Sequence, residues 1–163
     1  KIVTVIAALM VTTTIGRCEG SPNRVGSGVN YWRTIDSLDD HNFDSDGLSV
    51  IGTYQYWPSV FGLELDVEWF GGSSKDVFAP QALLLVGTWI YAAGGLGYYF
   101  TDGDFAQDPF FVLRAGLNLE LLPSLYFDFN VNYRFEEWEA LQDRDANIDS
   151  DTVMLGAALR LAF

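Results

Sequence analysis

Hydrophobic and polar side chains alternate along residues 125–135, and this period of two constrains the fold more than any other feature of the chain. Successive side chains of a β-strand point to opposite faces, so this segment would have one apolar and one polar face. The apolar face would carry Leu125, Phe127, Phe129, Val131, Tyr133 and Phe135, and the polar face Tyr126, Asp128, Asn130, Asn132 and Arg134. The pattern predicts a strand between an apolar and a polar environment.

The same alternation recurs along the chain, and no helical period is convincing after residue 25. Segments 61–69 and 111–119 have strong contrast, and 153–163 has an unbroken apolar face. Weaker candidates lie near 25–34, 48–57, 77–87 and 89–100, which makes eight predicted strands. In the first of them the pattern does not determine which face looks outward. In the fifth, the glycines at 94, 95 and 97 would relieve crowding in a narrow barrel.

The predicted connections alternate between short and long. Short turns fall at 57–60, 87–88 and 122–124, and long polar loops at about 35–47, 70–76, 101–109 and 136–151. Aromatic residues cluster at both ends of the predicted strands, as they do at the two interfaces of a membrane. Together these features predict an even number of antiparallel strands with turns at one end and loops at the other.

The segment 153–163 resembles the closing strand of outer-membrane β-barrel proteins, which typically ends in Phe. The resemblance is to small barrels of the OmpA and OmpX type, in the porin-like superfamily. It implies an all-β, eight-stranded antiparallel up-and-down transmembrane β-barrel in the bacterial outer membrane. It also implies contact with lipid and lipopolysaccharide, and a signal for the barrel-assembly machinery formed by Leu159, Leu161 and Phe163.

With the apolar faces toward lipid, charged and amide side chains would fill the interior. Eight strands leave an interior just wide enough for side chains. We expect the carboxylates to be bridged by arginines, because buried charges must be paired. The predicted network consists of Glu64, Asp66, Glu68, Arg114, Asn118, Glu120, Asp128, Asn130, Asn132, Arg134 and Arg160. Acidic groups outnumber basic ones in it, so a narrow ion-conducting path is an alternative.

The first twenty residues have the pattern of a cleaved secretory signal peptide: a cationic start, a short apolar stretch and small residues near a cut. Residues 21–163 would then be the barrel. Cys18 is the only cysteine, and Arg17 before it departs from the small residue that lipid attachment requires. After cleavage the chain would lack cysteine, which suits an oxidising envelope compartment.

The net charge of −13 argues against nucleic acid as a partner, since that needs a basic surface. Much of the negative charge lies in the predicted loops. Asn42, Asp44 and Asp46 resemble the start of a calcium loop, but Thr53 stands where the closing Glu is needed. We therefore expect at most weak calcium there, or Ca²⁺ and Mg²⁺ that loosely bridge the loops to lipopolysaccharide phosphates. Nothing indicates another cofactor.

The favoured function is a non-enzymatic outer-membrane barrel with a structural or surface-interaction role. A lipid A-modifying enzyme is an alternative, for which His41 beside Asp40, with Ser37 and Ser45 nearby, supplies candidate groups. A soluble, lipocalin-like small-ligand binder is another, and it would exchange the inner and outer faces. The sequence does not determine a ligand or the oligomeric state.

Overall fold

The computed structural model describes residues 21–35, 46–71, 77–101, 104–105, 108–135 and 151–163. These residues form strands and turns. The strands are β1 (Asn23–Ile35), β2 (Asp46–Tyr56), β3 (Phe61–Phe70), β4 (Val77–Gly87), β5 (Ile90–Gly97), β6 (Phe100–Thr101), β7 (Asp104–Phe105), β8 (Phe110–Leu122), β9 (Leu125–Phe135) and β10 (Asp151–Ala162). Among these segments there is no helix with the length and apolarity to cross a membrane.

Eight of these strands close into a barrel. Each pairs antiparallel with the strands before and after it, in the order β1, β2, β3, β4, β5, β8, β9 and β10, and β10 pairs with β1. The short strands β6 and β7 pair with each other, and β6 extends the ladder of β4 beyond β5. Closure leaves none of these eight described strands at a sheet edge. The predicted eight-stranded up-and-down barrel is confirmed.

The connections alternate as predicted. Short turns join β2 to β3, β4 to β5 and β8 to β9, while the strand ends that flank the longer connections lie at the opposite end of the barrel. Gly87, at the end of β4, has a φ of 135°, and Ser124, in the turn before β9, has a φ of 69°. We call the end with the tight turns the short-turn end and the other the loop end.

Apolar side chains cover the outside of the barrel. On β3 the residues alternate strictly, with Phe61, Leu63, Leu65, Val67 and Trp69 exposed and the three acidic residues between them buried. The first strand now has a defined facing. Val29 and Tyr31 are exposed and Asn30 is buried, so its odd-numbered residues look outward.

The interior has an apolar wall as well as a charged one. On β4 and β5 the inward residues Ala79, Leu83, Leu85, Tyr91 and Ala93 are buried and pack with Trp57, Phe110 and Val112. Leu84 and Val86 of the same β4 are exposed outside. Because both faces of β4 are apolar, its sequence alternates only weakly. The charged side chains come from β3, β8, β9 and β10 on the rest of the circumference.

One residue of the predicted outer face is covered. Phe135 has the outward position in the alternation of β9, yet its exposed fraction is only 2%. Its ring stacks on Phe111, with the centroids 5.5 Å apart, and contacts Tyr133 at 5.7 Å. Phe135 is therefore not part of the exposed aromatic belt, because neighbouring side chains bury it.

Candidate functional site

The interior holds a cluster of buried polar side chains, which we call the interior network. Ten of the eleven residues predicted for it lie there, with exposed fractions between 0% and 6%: Glu64, Asp66, Glu68, Arg114, Asn118, Asp128, Asn130, Asn132, Arg134 and Arg160. Such low exposure means that almost no space for water remains beside them. Side chains therefore fill this part of the barrel.

Glu64 on β3 occupies the centre of the interior network. Its Oε1 accepts from Nη1 of Arg114 and, at 3.2 Å, from Nη2 of Arg160. Its Oε2 accepts from the amide of Gln55. Two guanidinium groups from β8 and β10 thus meet on one carboxylate from the opposite wall. This arrangement provides the charge compensation that a buried carboxylate requires.

Asp128 on β9 is the second partner of Arg160, whose Nη1 lies 2.9 Å from Oδ2 of Asp128. Two further donors meet Oδ1 of the same carboxylate: the Tyr91 hydroxyl at 3.1 Å and the Asn130 amide at 2.5 Å. Asn132 in turn donates to Oδ1 of Asn130 at 2.7 Å. The inward residues of β9 therefore form a continuous ladder attached to Arg160.

Asp66 is linked to Glu64 through Arg114. Nη2 of Arg114 lies 3.0 Å from Oδ2 of Asp66, while its Nε donates to Oδ1 of Asn132. Gln81 donates to the same Asp66 oxygen at 3.1 Å. One guanidinium group thus bridges two carboxylates on alternate residues of β3, which would otherwise repel each other at close range.

Glu68, nearer the loop end, accepts hydrogen bonds from three side chains. Arg134 meets its Oε2, and Ser49 and Asn30 donate to its Oε1, the latter at 2.7 Å. The guanidinium carbon of Arg134 also lies 4.4 Å from the centre of the Phe110 ring, a cation–π geometry. Tyr99 packs on Phe110 with centroids 4.6 Å apart, so aromatic rings border the interior network toward the loop end.

Glu120 does not join the interior network, which corrects the prediction. It has the inward position on β8 but is exposed at the short-turn end, next to an irregularity in the pairing of β8 with β9. It lines the mouth of the barrel together with Arg24 and Tyr126. At this depth the strands no longer enclose their side chains, so a carboxylate can remain hydrated.

Sequence reasoning missed several interior residues because their strands alternate weakly. They are Asn30, Ser49, Thr53, Gln55, Gln81 and Tyr91, all buried. A polar residue flanked by two apolar residues that face outward would have indicated an inward position, as for Gln55 between Tyr54 and Tyr56. Arg24 shares the inward parity of Asn30, but the facing of β1 was not determined.

The predicted cation and enzyme residues fall mostly beyond the described part of the chain. Asn42 and Asp44 lie outside it, and so do His41, Asp40, Ser37 and Ser45. Asp46 begins β2, but its side chain is not described. Within the described ranges no group of three or more His, Cys, Asp or Glu side chains is arranged to hold a metal ion.

The predicted assembly residues lie at the short-turn end of β10. Leu159 and Leu161 are exposed on the outer face, and Phe163 directly follows the strand. The Phe163 backbone N–H donates to the carbonyl of Asn23 at 3.1 Å, and its carbonyl accepts from the Ser21 hydroxyl. These contacts join β10 to β1. The assembly role stays a prediction, and so does the signal peptide, since residues 1–20 lie outside the described residues.

Solved structures with the same architecture identify the fold. Neisserial surface protein A is 15% identical, with a TM-score of 0.61 over 88% of this chain and 98% of that one. The chain has the fold of the small outer-membrane β-barrels. Outer membrane protein OprG from Pseudomonas aeruginosa is 17% identical, with a TM-score of 0.52 over 89% and 98% of the two chains. The N-terminal β-barrel domain of OprF from the same organism is 13% identical, with a TM-score of 0.53 over 87% and 99%.

No protein-family description and no curated protein matches the chain. At these identities the three structures establish a common fold. The resemblance that the closing strand 153–163 indicated, to the small outer-membrane barrels, is thereby confirmed at the level of architecture.

Proposed function

We propose that this protein spans the bacterial outer membrane as a closed, non-enzymatic barrel with a structural or surface-interaction role. The observation that carries the proposal is the reversed polarity of the barrel. Charged side chains of the interior network are buried and paired, whereas leucine, valine and aromatic side chains cover the outside. Hydrocarbon is the solvent that suits such an exterior.

The outer surface has the extent and order that a bilayer requires. Exposed apolar residues continue around the barrel, from Leu65 on β3 to Leu155 on β10. A water-soluble monomer seldom exposes an apolar area of this continuity. The barrel strands contain between 8 and 13 residues, a range that includes the roughly 9–11 residues that a tilted transmembrane strand needs. Exposed aromatics near both ends, such as Trp89 and Trp69, fit the two interfaces.

The filled interior favours a scaffold over an open channel. Arg114, Arg134 and Arg160 each reach across the barrel to carboxylates of β3, so the ion pairs lie in the path an ion would take. Opening that path would require separating buried charges, which is costly. The acidic residues of the loops would remain available at the cell surface for contacts with lipopolysaccharide or other partners.

The remaining alternatives have less support. A soluble lipocalin-like binder needs a polar exterior and an apolar cavity, the opposite of the distribution of Glu64 and Leu65 on adjacent positions of β3. The lipid A enzyme hypothesis depends on His41 and its neighbours, which lie outside the described residues, so it stays an untested alternative. The name of Neisserial surface protein A places that relative at the cell surface, which supports a surface role here.

Cell fractionation combined with gel mobility tests the proposal. We expect the protein in the outer-membrane fraction, and we expect the detergent-extracted protein to migrate differently before and after boiling, because a closed barrel resists detergent. As a control, Phe129→Arg should reduce the folded, unboiled form while leaving the boiled mobility unchanged. A soluble protein with a single mobility would contradict the proposal.

A further inference from the structure

The buried charges of the interior network do not balance. In the described part of the barrel, four carboxylates and three guanidinium groups have exposed fractions of 4% or less. They are Glu64, Asp66, Glu68 and Asp128, and Arg114, Arg134 and Arg160. At the short-turn end, Arg24 and Glu120 line the same mouth and offset each other. If every acid of the network were ionised, one buried negative charge would have no counterpart, which is unfavourable.

Asp66 is the least compensated of the four carboxylates. Its two described donors, Nη2 of Arg114 and the amide of Gln81, both meet Oδ2, at 3.0 and 3.1 Å. Oδ1 is buried and accepts from no donor among the described residues. The Arg114 guanidinium is also shared with Glu64. Each of the other three carboxylates meets a donor or a guanidinium nitrogen at both oxygens. An ionised Asp66 would therefore be poorly solvated by the protein.

Glu64 and Asp66 occupy successive inward positions of β3, and their carboxyl groups lie within hydrogen-bonding reach of each other. Two ionised carboxylates are both acceptors and repel each other, whereas one proton between them allows a hydrogen bond. The two side chains are 0% and 2% exposed, so neither water nor a dissolved cation can reach this contact from the solvent. A proton needs no free volume, because it becomes part of a side chain.

We propose that the interior network holds one buried proton at neutral pH, carried by Asp66 and hydrogen-bonded to Glu64. Glu64 stays ionised, because two guanidinium groups meet it. Three carboxylates then face three guanidinium groups. The proposal concerns the interior alone and does not depend on the membrane role. The other ionisable groups around the pair are Glu68 on β3, Tyr91 on β5, Arg114 on β8, Asp128 and Arg134 on β9 and Arg160 on β10, while β2 and β4 contribute the neutral Thr53, Gln55 and Gln81.

The proton on Asp66 makes the stability of the barrel depend on pH. In the unfolded chain an aspartate is ionised above about pH 5, so the unfolded state binds one proton fewer than the folded state. Each pH unit therefore shifts the unfolding equilibrium about tenfold toward the unfolded state, as long as folded Asp66 keeps its proton. An ionised Asp66 would give no such dependence in this range, because both states would already have lost the proton.

The Asp66→Asn variant tests the proposal, because an amide has the shape of a protonated carboxyl group, can donate to Glu64 and takes up no proton. Urea unfolding of the full chain in lipid vesicles is measured for both proteins at several pH values. We expect the ratio of the wild-type unfolding constant to that of the variant to rise about tenfold per pH unit between about pH 5 and neutral pH. A ratio that stays constant with pH would overturn the proposal.

A second measurement needs no variant. The folded wild type, labelled with carbon-13 in its aspartate carboxyl groups, should show the infrared C=O band of a protonated carboxyl group at neutral pH, and its absence would also overturn the proposal. Glu120→Gln is the matched control, since it makes the same change at an exposed carboxylate, and it should keep the wild-type pH dependence. If it removed that dependence as Asp66→Asn does, the proton would not belong to Asp66. Gel mobility before boiling verifies that each variant is folded.

Discussion

Arg160 on β10 and Glu64 on β3 meet across the barrel, with Nη2 of the arginine 3.2 Å from Oε1 of the glutamate. The two strands are not neighbours, since β1 and β2 lie between them on one side. The contact therefore crosses the lumen and joins opposite walls. With Arg114 on the same oxygen, it makes Glu64 the point where three strands are tied together.

Removing Arg114 should destabilise the barrel. Arg114→Met leaves Asp66 without its guanidinium partner and Glu64 with one partner fewer, both in a buried environment. We expect the free energy of unfolding to fall by about 3–5 kcal/mol, as for other broken buried ion pairs. Urea unfolding of the protein in lipid vesicles measures this change.

The Arg114→Met/Asp66→Asn double variant provides the control for this prediction. Neutralising Asp66 removes a carboxylate that has lost its partner, so the double variant should be more stable than Arg114→Met alone. A double variant whose loss equals the sum of the two single losses would mean that the residues are not coupled.

A charged side chain on the outer face should lower the free energy of unfolding more, the deeper it lies in the bilayer. Phe129 lies in the middle of β9, between Leu117 of β8 and Ala157 of β10, whereas Leu122 ends β8 at the short turn. Phe129→Arg should cost about 2–4 kcal/mol in a bilayer, and Leu122→Arg about 0–1 kcal/mol. The free energies of unfolding of the two variants are measured in lipid vesicles and compared with that of the wild type. Equal costs at the two positions would mean that Phe129 does not face the hydrocarbon core.

Two adjacent glycines of β5 should respond differently to alanine. A Cβ at Gly95 would collide with the carbonyl of Ala82 and lie 2.8 Å from Cα of Leu83, both backbone atoms of β4. A Cβ at Gly94 would meet only a methyl group of Leu113 at 3.8 Å. Gly95→Ala should therefore lower the free energy of unfolding by about 1–3 kcal/mol.

Gly94→Ala serves as the matched control, and we expect it to stay within about 0.5 kcal/mol of the wild type. If both variants are as stable as the wild type, the close approach of β5 to β4 is not required. The prediction that all three glycines of this strand relieve crowding is thus narrowed: Gly95 and Gly97 approach their neighbours closely, while Gly94 has ordinary space.

The sequence alone predicts a strand and its inward face wherever the two faces of that strand differ in polarity. Every acidic, amide or arginine side chain at an inward position of β3 and β9 is buried as expected. They are Glu64, Asp66 and Glu68 on β3, and Asp128, Asn130, Asn132 and Arg134 on β9. The alternation of turns and loops independently supported the strand number. Both signals are local, and neither requires knowledge of the neighbouring strands.

Other features depend on tertiary contacts that alternation does not encode. Leu83 and Leu85 are buried inside while Leu84 is exposed outside, so β4 reads as one apolar run. The exposure of Glu120 depends on where the barrel wall ends. The stacking of Arg24 on Tyr126 depends on the register that brings β1 beside β10 and β10 beside β9.

The central claim is that the barrel crosses the bilayer with its interior closed by ion pairs. Its most direct test is the ion flux across vesicles that contain the folded full chain. We predict a flux no greater than that of protein-free vesicles, because Arg114 and Arg160 both reach Glu64 across the lumen. A steady ion flux that increases with the amount of inserted protein would contradict the account.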